Sequence, residues 1–305
     1  MNMKMTIDKQ NGDVCFNEAA HEYFNIKDDK RRYISVTTLI HKFEQPFDEN
    51  FWSAYKAVEQ LVNPDYWKMI KKELLATKTC TPKLLKGYDI SVDDFNSVQQ
   101  NILDAWQKEN HASTERGSKI HADLEHSFYT QKTDISLQKY GIGGKFTCIK
   151  GRTELDLENG VYPEYLIFYE SPDGKFNLAG QIDLLVKEGT SFSIIDWKTN
   201  KQIKQSSYYN QRTKTSEKLK YPLNDLDDCN YNTYNMQLST YAWMIQQLHP
   251  DWKCNDLVLV HFDHNNNMTT YHMEYLKPQV EKMIAFGKKE AILEEHRSNR
   301  KRIEY

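Results

Sequence analysis

Three charged residues interrupt an apolar stretch of the chain, GQIDLLVKEGTSFSIIDWKTNK at residues 180–201. Asp183 lies in its first half, and Asp196 and Lys198 lie in its second half. Side chains alternate along a strand, so Asp196 and Lys198 point to the same face. If the turn is centred on residues 189 and 190, paired residue numbers sum to 379 and Asp183 lies directly opposite Asp196.

Two carboxylates that face each other across a hairpin repel, so a positive charge is needed between them. Lys198 supplies one such charge, and the hairpin would then carry a surface cluster of ion pairs. A divalent metal held by both carboxylates fits the geometry better, because Mg²⁺ and Mn²⁺ prefer oxygen ligands. Such a metal activates a bound water, the lysine orients that water or the attacked phosphate, and phosphodiester hydrolysis follows.

Further carboxylates precede this hairpin in VYPEYLIFYE, at residues 161–170. Glu164 and Glu170 share one face of the predicted strand, so either one offers a third carboxylate to the metal. Gly180 has no Cβ, and we expect a substrate backbone to approach the strand there.

These residues must be positioned by an α/β fold in which helices flank a mixed β-sheet. Apolar periodicity predicts a helical region near the amino terminus, then three strands, and then a helix, a strand and a closing helix. The predicted helices cover residues 51–76 with a break at Asn63–Pro64, 92–108, 114–129 behind a Ser113/Thr114 cap, 231–248 and 278–297. The predicted strands cover a hairpin at 21–40, and then 161–170, 178–186, 192–198 and 257–262.

The composition is that of an ordinary globular protein with 305 residues and a net charge of −3. We expect a soluble cytoplasmic protein without a membrane span, because no apolar run of membrane length occurs. The five cysteines are scattered and form no CxxC pair. Residues 197–220 carry seven Lys or Arg and one acid, which predicts either a solvated loop or a contact with nucleic acid.

The GQID and DWK segments resemble the PD-(D/E)xK nuclease superfamily, and specifically its RecB-like exonuclease branch. The resemblance makes Asp183, Asp196 and Lys198 the signature residues, and it favours Glu164 over Glu170 as the preceding acid. ERGSKIHADLEH at residues 115–126 resembles the Gly-x-x-x-His-x-x-x-Glu helix of the branch. Gly117, His121 and Glu125 match its three positions, and the histidine of the family joins the metal shell.

A fourth match is NMQLSTYAWMI, which resembles the Gln-x-x-x-Tyr helix of the branch through Gln237 and Tyr241. These two residues are one helical turn apart, and in the family they lie near the bound strand. The IDWKT segment resembles the corresponding segment of mitochondrial genome maintenance exonucleases and of phage-encoded relatives. The resemblance implies a nuclease core at residues 111–305, and we expect residues 1–110 to pack on it in one compact unit.

The implied activity is hydrolysis of linear or single-stranded DNA by an exonuclease. One or two Mg²⁺ or Mn²⁺ ions would be held by His121, Glu164, Asp183 and Asp196, with Lys198 orienting the water. Gln237, Tyr241, Lys201 and Lys204 would contact DNA, and a recombination or replication protein is a further possible partner. We expect no iron–sulfur cluster, because Cys229 and Cys254 are too few and too far apart. An endonuclease of the same fold and a catalytically silent DNA-binding protein of phage type remain alternatives.

Overall fold

The computed structural model describes Ile7 and residues 9–149, 157–210 and 214–303. Contacts divide the chain into two compact units. The sheet unit comprises Met1–Gln45 and Lys119–Tyr305, and the helical unit comprises Pro46–Ser118. Among the described residues, no helix combines the length and the apolar content that a membrane span requires.

The sheet unit contains most of the strands. They are β1 (Lys9–Asn11), β2 (Val14–Asn17), β3 (Glu22–Asn25), β4 (Ile34–Ser35), β5 (Ile135–Ser136), β6 (Lys145–Phe146), β7 (Gly160–Glu170), β8 (Asn177–Glu188), β9 (Ser191–Lys198), β10 (Tyr209–Asn210), β11 (Thr215–Ser216), β12 (Lys253–Phe262) and β13 (Met268–Met273). Its helices are α1 (Val36–His41), α6 (Asn230–Leu248) and α7 (Lys277–Ile303). The helical unit contains α2 (Glu49–Leu61), α3 (Pro64–Thr77) and α4 (Pro82–Gly87), and α5 (Val92–Gln131) begins in it and ends in the sheet unit.

Six strands form the central sheet, which is mixed as the sequence predicts. β7 pairs antiparallel with almost the whole of β8, and β9 pairs antiparallel with the second half of β8 on its other edge. β4 runs parallel to β8 on that same edge at Leu178 and Ala179. β12 lies parallel to β9, and β13 pairs antiparallel with β12. Residues 180–183 of β8 therefore lie between the two strands that share this edge.

The register predicted for the β8–β9 hairpin is confirmed. Its pairs run from Glu188 opposite Ser191 to Leu184 opposite Ile195, and every pair sums to 379. Gly189 in the turn has φ +55°, which glycine adopts without strain. The paired residues end one position before Asp183 and Asp196, which are therefore the next residues on each strand.

Apolar layers cover both faces of the sheet. One face packs against α1, α6 and α7 through residues such as Leu185, Ile194 and Leu238. The other face packs against the end of α5 and the segment at 135–146, and Trp197 is fully buried there beside Phe128. Burying one large apolar side chain stabilises a fold by about 1.5–3 kcal/mol, so these layers hold the strands in place.

The helical unit has a core of its own, to which all four of its helices contribute. Side chains of Asp48, Asn63 and Thr81 accept hydrogen bonds from the first turns of α2, α3 and α4. Pro64 and Pro82 begin α3 and α4, where a missing N–H costs nothing. The predicted break at Asn63–Pro64 is confirmed.

Two predicted elements are wrong in detail. Residues 92–131 form one helix rather than two. The Thr114 hydroxyl donates to the Asn110 carbonyl inside this helix, so Thr114 does not cap the start of a second helix. The predicted hairpin at 21–40 is reduced to one antiparallel bridge, between Phe24 and Arg32, because Glu22–Asn25 pairs with β2 while Ile34–Ser35 joins the central sheet. The Asn25 side chain accepts from the backbone of Lys27 and Asp28, which forms the turn after β3.

Candidate metal centre

Three carboxylates lie at the same level on neighbouring strands of the central sheet. In the β7–β8 ladder the pairs on either side of this level are Pro163 with Leu184 and Tyr165 with Ile182, so Glu164 lies opposite Asp183. Asp196 lies at the corresponding position of β9. The strand pairing thus brings together acids that are separated by up to 32 residues in the chain.

The regular alternation of side chains along β8 is interrupted at this level. Leu184 belongs to the α5 side of the sheet and Ile182 to the α6 side, although residues two apart on a regular strand share a face. Glu164 has φ +51°, an unusual conformation for a residue other than glycine, and it interrupts the ladder with β8. This irregularity lies where Glu164 approaches Asp183, and left-handed backbone at residues other than glycine is concentrated at functional sites.

His121 reaches the carboxylates from α5. Its Nε2 lies 3.0 Å from the Trp197 carbonyl oxygen, which only accepts, so Nε2 carries a proton. The other ring nitrogen, Nδ1, lies 3.5 Å from Asp183 Oδ1 and 3.7 Å from Glu164 Oε1. In the neutral imidazole this arrangement leaves Nδ1 as a free ligand atom aimed at both acids.

The ligand atoms of His121, Glu164 and Asp183 all lie within 4.8 Å of one another. Two ligands of one Mg²⁺ or Mn²⁺ ion are up to roughly 4 Å apart, since each bond is about 2.1 Å long. The side chains are largely buried, with 29%, 14% and 9% of their surfaces exposed. The donor set of one nitrogen and two carboxylates therefore fits a divalent metal ion.

Asp196 lies beside this cluster but contacts a different set of groups. Its Oδ2 is 2.5 Å from Lys198 Nζ, and its Oδ1 accepts a hydrogen bond of 3.2 Å from Gln237 Nε2. The ammonium of Lys198 also lies 5.0 Å from the centre of the Tyr234 ring. Among the described residues, the group of convergent ligand atoms does not include Asp196, so its membership of the metal shell stays a prediction.

Gln237 and Tyr241 lie one turn apart on α6, as the spacing predicts, but both are buried. Gln237 Nε2 lies 3.3 Å from the Tyr241 hydroxyl as well as near Asp196. The Tyr241 ring occupies the space beside Gly180, where an added Cβ would lie 2.5 Å from the ring. In this structure the missing Cβ of Gly180 thus accommodates Tyr241, and no exposed approach for a substrate backbone lies at that spot.

Two contributors to the site were missed by the sequence reasoning. Lys9 on β1 places its Nζ 3.1 Å from Glu164 Oε2 and 3.9 Å from Glu125 Oε1. Gln181 Nε2 also donates to Glu164 Oε2, at 3.0 Å. Lys9 is 155 residues from Glu164 and belongs to no motif, whereas Gln181 lies inside the GQID segment.

Burial and neighbouring charges shift the pKa values of several groups in this site. Burial and the Asp196 carboxylate raise the pKa of Asp183 to about 7. Although burial lowers it, the Asp183 carboxylate and the Glu164 hydrogen bond raise the pKa of His121 to about 9. Burial also lowers the pKa of Lys198, but the carboxylates of Asp196 and Asp183 raise it above its ordinary value overall. Lys198 is therefore a cation at neutral pH.

The remaining predicted residues lie outside the cluster. Glu170 lies at the end of β7 opposite Asn177, six residues from Glu164, and pairs with Arg31 at 2.7 Å. Lys201 and Lys204 are exposed. Within the basic segment, Lys218 pairs with Asp227, and Arg212 lies outside the described residues.

One family model matches most of the chain. The family model described as the PD-(D/E)XK nuclease superfamily matches residues 84–303. A solved structure described as SSO0001 is 13% identical, with a TM-score of 0.35, and the match covers 87% of this chain and 77% of that one. A "Putative exonuclease" from Eubacterium rectale is 12% identical, with a TM-score of 0.30 and coverages of 85% and 80%. No curated protein matches the chain.

We predict that Gly180→Ala destabilises the protein by about 1–3 kcal/mol, because the new methyl group overlaps the Tyr241 ring. Urea unfolding measures the loss. Gly143→Ala is the matched control, since an added Cβ meets nothing within 4 Å there. Equal stability of the two variants would show that Tyr241 does not pack against Gly180.

We predict that His121→Gln destabilises the metal-free protein by about 2 kcal/mol at pH 7. The folded pKa of His121 is about 9, above its unfolded value of 6.5, so its stabilisation is complete below pH 6.5 and is lost as the pH rises through 9. Urea unfolding from pH 7 to 10 should therefore show the gap to the wild type closing. His126→Gln, an exposed change on the same helix, should show no such gap, and a constant gap for His121→Gln would contradict the prediction.

Proposed function

Because the chain belongs to the PD-(D/E)XK nuclease superfamily, we propose that it is a metal-dependent DNA exonuclease of the RecB-like branch, acting on linear or single-stranded DNA. The observation that carries this proposal is the convergence of His121, Glu164 and Asp183 beside the charged Lys198. Together these side chains provide a site for a divalent cation and, next to it, a lysine that contacts a substrate phosphate or water.

The side chains of the metal cluster would hold Mg²⁺ or Mn²⁺, which suit carboxylate ligands. When bound, such an ion supplies the Lewis-acid chemistry that makes a phosphodiester susceptible to attack by water. His121 is oriented for this role by the Trp197 carbonyl, and Glu164 is oriented by Gln181 and Lys9. These supporting contacts keep the ligand atoms in place before the ion arrives.

Lys198 would orient the attacking water and stabilise the charge that develops on the phosphate oxygens. Asp196 holds the Lys198 ammonium at 2.5 Å, and Gln237 in turn holds Asp196. Tyr241 contacts Gln237 and lies against Gly180. Gln237 and Tyr241 would therefore act by positioning Asp196. The exposed Lys201 and Lys204 follow directly after β9 and would bind backbone phosphates of the DNA.

The exonuclease assignment within the superfamily draws on two helices. His121 on α5 reaches the carboxylates, in keeping with the RecB-like resemblance, and the Gln-x-x-x-Tyr match lies on α6, where Gln237 contacts Asp196. An endonuclease of the same fold would use the same carboxylates and lysine, so only the substrate separates the two activities.

We predict that Lys198→Ala lowers the rate of cleavage by at least about 10²-fold while Mn²⁺ still binds, because Lys198 contacts Asp196 rather than the three metal ligands. Asp183→Asn should lose both cleavage and Mn²⁺ binding. Nucleotide release and calorimetric Mn²⁺ titration are the two measurements. The control is Lys175→Ala, which removes an exposed lysine paired with Glu295. Cleavage by Lys198→Ala at the wild-type rate would remove this residue from the mechanism.

We also predict that the wild-type protein releases nucleotides from linear DNA labelled at its 5′ or 3′ end in the presence of Mg²⁺ or Mn²⁺. Covalently closed circular DNA should stay intact under the same conditions, because an exonuclease needs a free end. Gel electrophoresis of single- and double-stranded forms reads out both substrates. Rapid cutting of closed circles would contradict the exonuclease proposal and favour an endonuclease of the same fold.

A further inference from the structure

The helical unit carries a basic segment that plays no part in the metal centre. Residues 66–88 contain six lysines and a single acid, Glu73, in a chain whose net charge is −3. All six lysines are exposed. They are Lys68, Lys71, Lys72, Lys78, Lys83 and Lys86.

Helical spacing gathers these lysines into stripes. Lys68, Lys71 and Lys72 on α3 are separated by three and four residues, so they share one face of that helix. Lys83 and Lys86 on α4 are three residues apart and likewise share a face.

The two stripes belong to one part of the helical unit. The rings of Tyr66, at the start of α3, and Tyr88, at the end of α4, lie 6.0 Å apart. The contact makes α3 and α4 neighbours, although Lys68 points away from it, because residues two apart on a helix do not face each other. We call the five lysines of α3 and α4 the basic surface of the helical unit.

Neighbouring charges do not neutralise the basic surface. Within the part of the chain that the structure describes, no ion pair joins any of its five lysines to an acid. Some exposed lysines elsewhere do pair with acids, as with Lys27 and Asp13 or Lys282 and Asp225. Lys78 differs from the five, because its ammonium lies over the rings of Phe51 and Trp52.

Placing these lysines together has an energetic cost. Like charges three and four residues apart destabilise a helix, and Lys68 repels both Lys71 and Lys72. The helix dipole does not compensate, because the last turn of α3 contains no basic residue. A bound polyanion would remove this repulsion.

Exposed apolar groups accompany the charges. Tyr66 is 49% exposed and Met69 is 63% exposed, and both lie on α3 among the lysines. Lysines that bind phosphates, interspersed with aromatic and apolar side chains that contact sugars or bases, are typical of nucleic-acid surfaces. An anionic membrane would be a different partner, which binding of phosphatidylserine vesicles distinguishes from DNA.

We propose that the basic surface of the helical unit binds the backbone phosphates of duplex DNA, independently of base sequence. The inference rests on the proposed function in that this DNA is the substrate of the enzyme. It adds a second contact region, on α3, which lies before the residues that match the family.

The test compares binding of a labelled 20-base-pair duplex by the wild type and by the triple variant Lys68→Gln/Lys71→Gln/Lys72→Gln. EDTA is present so that no cleavage occurs, and fluorescence anisotropy is measured from 50 to 200 mM salt. Each lost phosphate contact lowers the slope of log affinity against log salt by about 0.9, so the slope should fall by about 2–3. Affinity at 50 mM salt should fall at least tenfold.

The matched control is Lys27→Gln/Lys175→Gln/Lys282→Gln, which removes the same charge from exposed lysines that pair with acids. It should keep the wild-type slope. An unchanged slope in the α3 variant, or an equal loss in the control, would overturn the inference. Binding of phosphatidylserine vesicles in place of DNA would also overturn it, in favour of a membrane surface.

Cleavage of a short linear oligonucleotide with Mn²⁺ separates this inference from the proposed function. Retained cleavage by the α3 variant, with its reduced slope, supports both. Wild-type protein that binds the duplex through α3 but cleaves no DNA would leave the inference standing and remove the nuclease activity. Wild-type protein that binds no DNA overturns the inference, whatever its activity.

Discussion

Repulsion among three carboxylates at the centre of a sheet is the constraint on which the site depends. Glu164, Asp183 and Asp196 occupy neighbouring strands at one level, and Asp183 and Asp196 are buried. Such acids are tolerated only where cations and hydrogen-bond donors surround them. His121, Lys198 and Lys9 supply the charge, and the Trp197 amide donates to Asp183 at 2.7 Å. A divalent metal held by the proposed site would add to this balance.

The sheet makes room for the site by leaving one edge of β8 incompletely paired. β9 pairs with the second half of β8 and β4 with its beginning, so residues 180–183 lie between them. The backbone amide of Trp197 binds the Asp183 side chain, and Tyr241 packs on Gly180. Apolar layers on both faces hold the strands while their polar side chains converge.

Roles are divided between the two sides of Asp183. On one side, His121 and Glu164 converge with Asp183 into a group that suits a metal ion. On the other, Asp196 binds Lys198 and Gln237, which keeps a charged ammonium at a fixed position. In the proposed metal-dependent hydrolysis of a phosphodiester, the first group would hold the Lewis acid and Lys198 would be the oriented donor.

The sequence by itself determined the strand parity, the hairpin register and the candidates Asp183, Asp196 and Lys198, because alternation and turn position are local properties. Its motifs also identified His121 and Glu164. Only the tertiary structure decided that Asp196 faces Lys198 and Gln237, that Tyr241 lies buried against Gly180, and that Lys9 joins the site from β1. These contacts join residues from distant elements, and no local pattern encodes which of them will meet.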